Sequence, residues 1–338
     1  MAKYIGKRLI YLLAVFAVLS FLVFAVYNML PVDKAADMAL QEIAANKHLI
    51  YAERYLYWQR RYGLDGGLLL RYLRWLGLAP FYDGSFKGFL QGYFGTSVVY
   101  GKPVTAVIKT PLLNTVFLNL MATVAALAIT LPLGIFCAVR KGSRRDLAVQ
   151  TGTIIGYSMP VFIISILFIW LFAVKLDIFP VAGMSSVGKE YTGFRALLDR
   201  LYHFALPLIV MTFCSLGGMT RYVRAAMIDS LSLDCVRTAR AKGLKEKIVV
   251  RSHAWRNALI PIIALIIGWF LGIFSGSIMI ENIFGINGIG KVYFDALTAN
   301  DNEVALAMQM FYIFVALIGN LLVDLAYGLV DPRIRVNK

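Results

Sequence analysis

Charge is scarce in this chain, and acidic charge is scarcer still. Of its 338 residues 16% are charged and 59% hydrophobic, with 34 Lys and Arg against 19 Asp and Glu. A soluble domain carries roughly a quarter charged residues, so this composition excludes an ordinary water-soluble globule. Cysteine is nearly absent: Cys137 and Cys214 lie in apolar runs and Cys235 in a polar stretch. None falls in a segment expected outside the cell and their spacing fits no metal site, so no disulfide is expected. They read as small buried hydrophobes. Histidine occurs only at His48, His203 and His253, which are far apart in sequence. There is no His-Glu-x-x-His, no Gly-x-Ser-x-Gly and no pair of acids in an apolar run, so the sequence gives a membrane enzyme no support. Internal repeats and low-complexity segments are also missing, which excludes solenoids and flexible linkers.

Long apolar runs are what the chain has instead. The mean hydropathy is +0.71. Six runs approach the length of about 20 residues that a membrane helix needs: Leu9–Leu30, Leu112–Val139, Leu147–Val174, Phe204–Thr220, Ala258–Ile280 and Val304–Val330. The fourth is the shortest and is interrupted by Gly217 and Gly218. The expected fold is therefore an all-α polytopic membrane protein with six transmembrane helices. The first run follows Lys3, Lys7 and Arg8, as a signal peptide would. Its apolar core is too long for one and no small-x-small site follows, so it reads as a retained anchor.

The net charge of +15 is distributed in a way that argues for topology rather than for nucleic acid. Basic residues cluster before the first run, after the second (Arg140, Lys141, Arg144, Arg145), after the fourth, and after the sixth (Arg333, Arg335, Lys338). The intervening loop Glu281–Glu303 is acidic. This positive-inside pattern places both termini in the cytoplasm. It divides the chain into an N-terminal tip and first helix (1–30), an extracytoplasmic insertion (31–111), a five-helix core (112–330) and a cytoplasmic tail (331–338). Within the insertion, Asp33 to Arg61 has helical spacing, Gly63 to Gly67 breaks it, Arg71–Leu76 forms a short surface helix, and Gly84 to Pro103 is irregular.

Three features invite a functional reading. Gly285-Ile286-Asn287-Gly288-Ile289-Gly290-Lys291 has Walker A spacing, but Val292 stands where Ser or Thr should bind magnesium and the stretch follows a membrane run instead of a strand. It reads as a glycine-rich turn. Gly268, Gly272 and Gly276 recur every four residues in the fifth run, with Ser275 and Ser277 beside them. Such a stripe serves close helix packing or leaves room for a passage. Asp324 alone is ionisable within a predicted run, which is too little for a proton path and better suits a structural partner.

The most informative stretch is the cytoplasmic loop 221–257. It carries nine basic residues from Arg221 to Arg256. Anionic lipid would account for the charge. It would not account for a short helix over Thr238 to Lys242, stopped by a left-handed Gly243 and presenting Ala239, Ala241 and Leu244 as small knobs. That combination suits docking into a partner's groove.

The segment Thr238-Ala239-Arg240-Ala241-Lys242-Gly243 resembles the ATPase-docking loop of binding-protein-dependent ABC importer permeases, in the peptide/nickel branch. Arg237 replaces the usual Glu, and the distance from Gly243 to Leu259-Ile260-Pro261 is longer than in the general pattern. Gly95-Thr96-Ser97 with Pro103-Val104, Pro180-Val181-Ala182-Gly183, Glu281-Asn282-Ile283-Phe284-Gly285 and Asp331-Pro332-Arg333-Ile334-Arg335 are similar to that branch as well. Ile286-Asn287-Gly288 stands where the family often has Trp-Pro-Gly. The long insertion resembles the B-type subunit. The resemblance implies a type I importer permease in a prokaryotic inner membrane, pore-forming and not itself an enzyme. It implies a C-type permease partner, two ATPase subunits that bind ATP and Mg2+, and an extracytoplasmic solute-binding protein. Peptides are the implied cargo, with nickel chelates or oligosaccharides as alternatives. Arg237 to Leu244 would couple to the ATPase, and Gly268, Gly272, Ser275, Gly276 and Ser277 would line the pathway or pack helices. The rival classes, a self-contained membrane enzyme or an ATP-independent channel, would need catalytic groups or a polar ring within the runs.

Overall fold

A chain crossing hydrocarbon must satisfy its own N–H and C=O groups, and uninterrupted helix does this without a partner. The computed structural model describes residues 2–31 and 33–330, with side chains placed over 6–31 and 33–325. The terminal Asp331-Pro332-Arg333-Ile334-Arg335 stretch and the 331–338 tail lie outside the described residues. In chain order the helices are α1 (Ala2–Met29), α2 (Lys34–Ala45), α3 (Tyr51–Arg61), α4 (Leu68–Leu76) and α5 (Val104–Val139). Next come α6 (Arg144–Ser158), α7 (Val161–Phe168), α8 (Gly193–Leu231), α9 (Asp234–Ala241) and α10 (Glu246–Ile248). The last four are α11 (Trp255–Gly272), α12 (Ile278–Ile283), α13 (Ile289–Thr298) and α14 (Asn302–Val330). Among the described residues the only β pairing is an isolated bridge between Thr96 and Pro103.

Among the described residues five helical stretches are long and apolar enough to cross a membrane. The third predicted run is not one of them. It is split into α6 and α7, bent by 102° at Met159-Pro160. Pro160 forms the N-cap of α7, and Met159 before it is extended at ψ 136°, the conformation a proline imposes on its predecessor. The count reaches six only if this bent pair is one span. Two further boundaries differ. Helix α8 already begins at Gly193, so its first turns occupy a stretch expected to be loop, and it continues through Gly217 and Gly218. A Cβ on Gly217 would lie 2.3 Å from the Thr153 carbonyl oxygen, so this glycine lets α6 approach α8. Helix α11 ends at Gly272, short of the predicted Ile280.

The described chain divides into two compact units. The first joins the residues up to Thr110 with Val292–Leu317. Here α4 packs on α1: Tyr72 and Leu76 are buried beside Phe24, and the Tyr72 hydroxyl lies 2.7 Å from Ser20 Oγ. Ser97 hydrogen-bonds Asp301, a buried acid whose carboxylate also accepts from the backbone N–H groups of Val99 and Val304. Asp301 therefore ties the Gly95-Thr96-Ser97 turn to the start of α14.

The second unit joins Pro111–Lys291 with the stretch from Ile318. One buried cluster centres on Leu118, Ile164, Phe204, Leu206 and Phe284. The Gly183 N–H donates to the Phe284 carbonyl at 2.8 Å, which joins the Pro180–Gly183 turn to the end of α12. A second cluster holds the basic loop.

Candidate functional site

The loop's short helix, α9, is built on a two-sided pattern. Val236 and Ala239, three residues apart, are 0% and 4% exposed and pack with Val223 and Met227 of α8 and with Ala254, Ala258 and Ile262 on the far side of the loop. Arg237, Thr238, Arg240 and Ala241 are exposed on the outer face. The helix is one turn longer at its start than expected. It ends where predicted: Gly243 has φ +76°. Its N–H donates to Arg240 at 2.9 Å and the Leu244 N–H reaches the Ala239 carbonyl at 3.4 Å, the paired bonds of a Schellman cap. Thr238 Oγ1 donates to the Asp234 carbonyl. Arg240 forms a bidentate pair with Glu246 at 3.1 and 2.7 Å. Both side chains are half-exposed, so the pair orients more than it stabilises.

One expectation needs correction. Ala239 was grouped with Ala241 and Leu244 as a knob facing outward. The α-helical period turns Ala239 inward with Val236 and leaves Ala241 and Leu244 outside. The exposed residues here are basic apart from a small apolar pair: Arg237, Arg240, Lys242 and Lys245 accompany Ala241 and Leu244.

Behind the loop stands an ion pair that the sequence did not reveal. Asp146, in the first turn of α6, is 1% exposed. Its carboxylate accepts two bonds of 2.8 Å from Arg224 of α8 and one of 2.9 Å from the Gly142 N–H. The two residues are 78 positions apart, one on the border of an apolar run and the other among loop basics, so nothing local linked them.

The glycine stripe is divided. Gly268 and Gly272 are exposed, and a Cβ on either would meet nothing within 4 Å. Gly276 lies beyond the end of α11, where a Cβ would sit 2.3 Å from the Gly290 nitrogen. It belongs to a tight turn instead of the helical stripe. Ser275 is exposed, and its carbonyl accepts from Asn119 Nδ2. The Ser277 N–H points at Glu281.

Glu281 explains the Walker-like stretch. This carboxylate is 1% exposed and accepts from Thr115 Oγ1 at 2.8 Å, the Lys291 N–H at 2.8 Å and the Ser277 N–H at 3.3 Å. Burial pushes its carboxyl above the usual range, while these donors pull it partway back. Gly288 is required because a Cβ there would lie 2.4 Å from Glu281 Cδ. A phosphate-binding loop presents free N–H groups to an anion. Here the Lys291 and Ile289 N–H groups already donate to Glu281 and to Thr115 Oγ1. These N–H groups are therefore already taken by side chains of this chain and are not free to bind a phosphate. The acid of Glu281-Asn282-Ile283-Phe284-Gly285 followed by glycines at 285, 288 and 290 was the available signal.

Residues 130–336 match the family described as "Binding-protein-dependent transport system inner membrane component". The chain is 35% identical over 338 residues to the oligopeptide transport system permease protein AppB of Bacillus subtilis (strain 168), covering 99% of each chain. It is 31% identical over 356 residues to the dipeptide transport system permease protein DppB of Escherichia coli (strain K12), covering 100% of each. Identity to the dipeptide permease DppB of Lactococcus lactis subsp. cremoris (strain MG1363) is 31% over 339 residues, 99% of this chain and 100% of that one. Among solved structures, a chain of the inward-facing MetNI methionine ABC transporter aligns with a TM-score of 0.49 at 16% identity, over 66% of this chain and 97% of that one.

Proposed function

This chain belongs to the family of binding-protein-dependent transport system inner membrane components, and on that premise we propose that it is the B-type, pore-forming permease of an ATP-driven importer of oligopeptides or dipeptides. It is a multi-pass membrane protein and a transport subunit, not an enzyme in its own right. The substrate class is carried by relatives named as oligopeptide and dipeptide permeases that are similar along their whole length. The partners are a C-type permease, two ATPase subunits that hold ATP and Mg2+, and a solute-binding protein. Both termini and 221–257 face the cytoplasm, and 31–111 and 281–303 face outside, in keeping with the basic-loop asymmetry.

The observation that carries the mechanism is the division of α9 into an anchored and an exposed face. An ATPase cleft would take Ala241, Leu244 and the basic residues around them. Val236 and Ala239 bind the same helix to α8 and to the start of the fifth span. A displacement of the ATPase would then move these helices as one body, because a close-packed contact transmits motion without compressing. ATP-driven closure would switch the pore between two discrete arrangements in this way. Gly268 and Gly272, whose open faces lack an intrachain neighbour, are the positions we assign to the pathway or to the partner permease.

Two measurements test the reading. Purification in detergent should bring ATPase subunits with the chain, and reconstituted vesicles should accumulate peptide only with ATP and binding protein. Uptake that proceeds without ATPases would sink it in favour of a channel. An impermeant thiol reagent should fail to label Lys242→Cys in sealed, right-side-out cells, and labelling there would overturn the orientation.

A further inference from the structure

The end of α1, the insertion that follows it and the start of α14 line an open cavity of about 930 Å³ within the first compact unit. That is the upper range for a small-molecule site. Most of its charged lining is neutralised within the unit. Lys34 pairs with Glu303 at 2.9 Å, Arg74 with Asp65 at 2.8 Å and Lys87 with Asp83 at 3.5 Å. Asp33 caps α2 and accepts from the Tyr55 hydroxyl at 2.9 Å.

Subtracting these pairs leaves lining charges of both signs. Asp37, exposed in the first turn of α2, has no basic side chain within ion-pair distance among the described residues. Arg71 of α4 donates Nε to the Gly66 carbonyl at 3.0 Å and meets no carboxylate. Arg61 is engaged by the Tyr57 hydroxyl, by the rings of Tyr57 and Trp58 and by the charge of Glu42, which leaves Arg71 as the candidate anion partner. Tyr62, Trp75 and Phe94 add aromatic rings to the lining. The cavity adjoins a second of about 680 Å³, and the two share Arg61, Phe81, Lys87 and Tyr93 as a common wall. The space is therefore elongated. Its lining offers the Asp37 carboxylate, the Arg71 guanidinium and several aromatic rings.

We propose that this cavity binds a short peptide with free termini, its ammonium on Asp37 and its carboxylate on Arg71, as a station distinct from the membrane pathway. Charge-assisted bonds to the two termini supply orientation, and bidentate geometry is available to the guanidinium. The aromatic wall accepts side chains without selecting among them, so the site reads termini rather than sequence. It deepens the importer reading, on which it rests for the nature of the cargo.

The test uses the permease pair with its ATPases in phosphatidylcholine nanodiscs, without binding protein. Tri-alanine, N-acetyl-tri-alanine and tri-alanine amide are titrated against wild type, Asp37→Asn, Arg71→Gln and the charge-keeping Arg71→Lys. Losing one charge-assisted contact should weaken tri-alanine about tenfold. Asp37→Asn should lower the affinity of tri-alanine and its amide but leave the N-acetyl form unchanged. Arg71→Gln should spare only the amide, and Arg71→Lys should retain most of the binding. Equal binding of all three peptides by all variants overturns the proposal. So does tri-alanine binding that is insensitive to both substitutions yet abolished by phosphatidylethanolamine in the discs, which would assign the cavity to lipid headgroups. Failure of the wild-type importer to take up any peptide would instead count against the importer reading itself.

Discussion

Gly243 is the position where a single added carbon most directly tests the coupling loop. Its φ of +76° is a conformation L side chains avoid, and a Cβ there would meet nothing within 4 Å. Substitution therefore adds backbone strain without any clash. A left-handed residue costs about 1–2 kcal/mol, with Asn least and β-branched residues most affected. That penalty falls on an eight-residue helix too short to stand alone, held by two buried side chains and this cap. A change of that size alters a two-state ratio about 5–30-fold. It is enough to unwind the turn that presents Arg240 and Ala241, and too small to unfold a multi-helix core. In reconstituted vesicles with all partners, uptake should follow the order Gly, Asn, Ala, Val at this position, with Gly243→Val several-fold below wild type. Substrate-stimulated ATP hydrolysis should fall or become uncoupled from uptake, while expression and thermal stability stay near wild type. Full uptake by Gly243→Val at normal expression would refute the assignment of this loop as the coupling element and favour simple lipid attraction.

Ala239→Trp and Ala241→Trp should fail differently. The first overfills a site that is 4% exposed and should reduce folded yield, whereas the second should yield folded protein that does not retain its ATPases in a pull-down. Gly217→Val should lower the melting temperature in detergent, because its side chain would begin 2.3 Å from the Thr153 carbonyl oxygen; Gly268→Val should fold normally and show its loss only in uptake. Glu281→Gln should destabilise by about 1–3 kcal/mol, since one carboxylate oxygen becomes an NH2 group facing backbone donors. The raised carboxyl of Glu281 favours the folded state below its unfolded value and loses that contribution as pH rises through the folded value. The deficit of Glu281→Gln relative to wild type should therefore be larger near pH 4 than at pH 8 in thermal melts, and a pH-independent deficit would contradict the burial argument.

Much of the architecture could be read from one dimension. Run length decides whether a helix can cross a bilayer, and alternate basic loops set the expected orientation, so neither requires knowledge of a neighbour. Gly243 was legible for the same reason: a helix stop depends on the backbone of one residue and the few before it. The break of α2 from α3 near Asn46 was not. Neither was the 102° bend at Pro160, because a proline in a membrane helix is compatible with a straight span, a kink or a break, depending on what packs beside it.

The basic loop marks the limit of what one dimension can decide. The sequence by itself determined that a short basic helix over Thr238 to Lys242, stopped by Gly243, lies between two apolar runs, since composition and a helix stop are properties of the segment itself. Tertiary structure alone decided that Val236 and Ala239 anchor it while Ala241 and Leu244 face away. It alone brought Asp146 to Arg224 across 78 residues, and it filled the Walker-like turn with Glu281. Each of these turns on which groups share a low-dielectric neighbourhood, where an unpaired charge or an unsatisfied polar group is costly. That neighbourhood is assembled from distant parts of the chain, so no local window of sequence contains it.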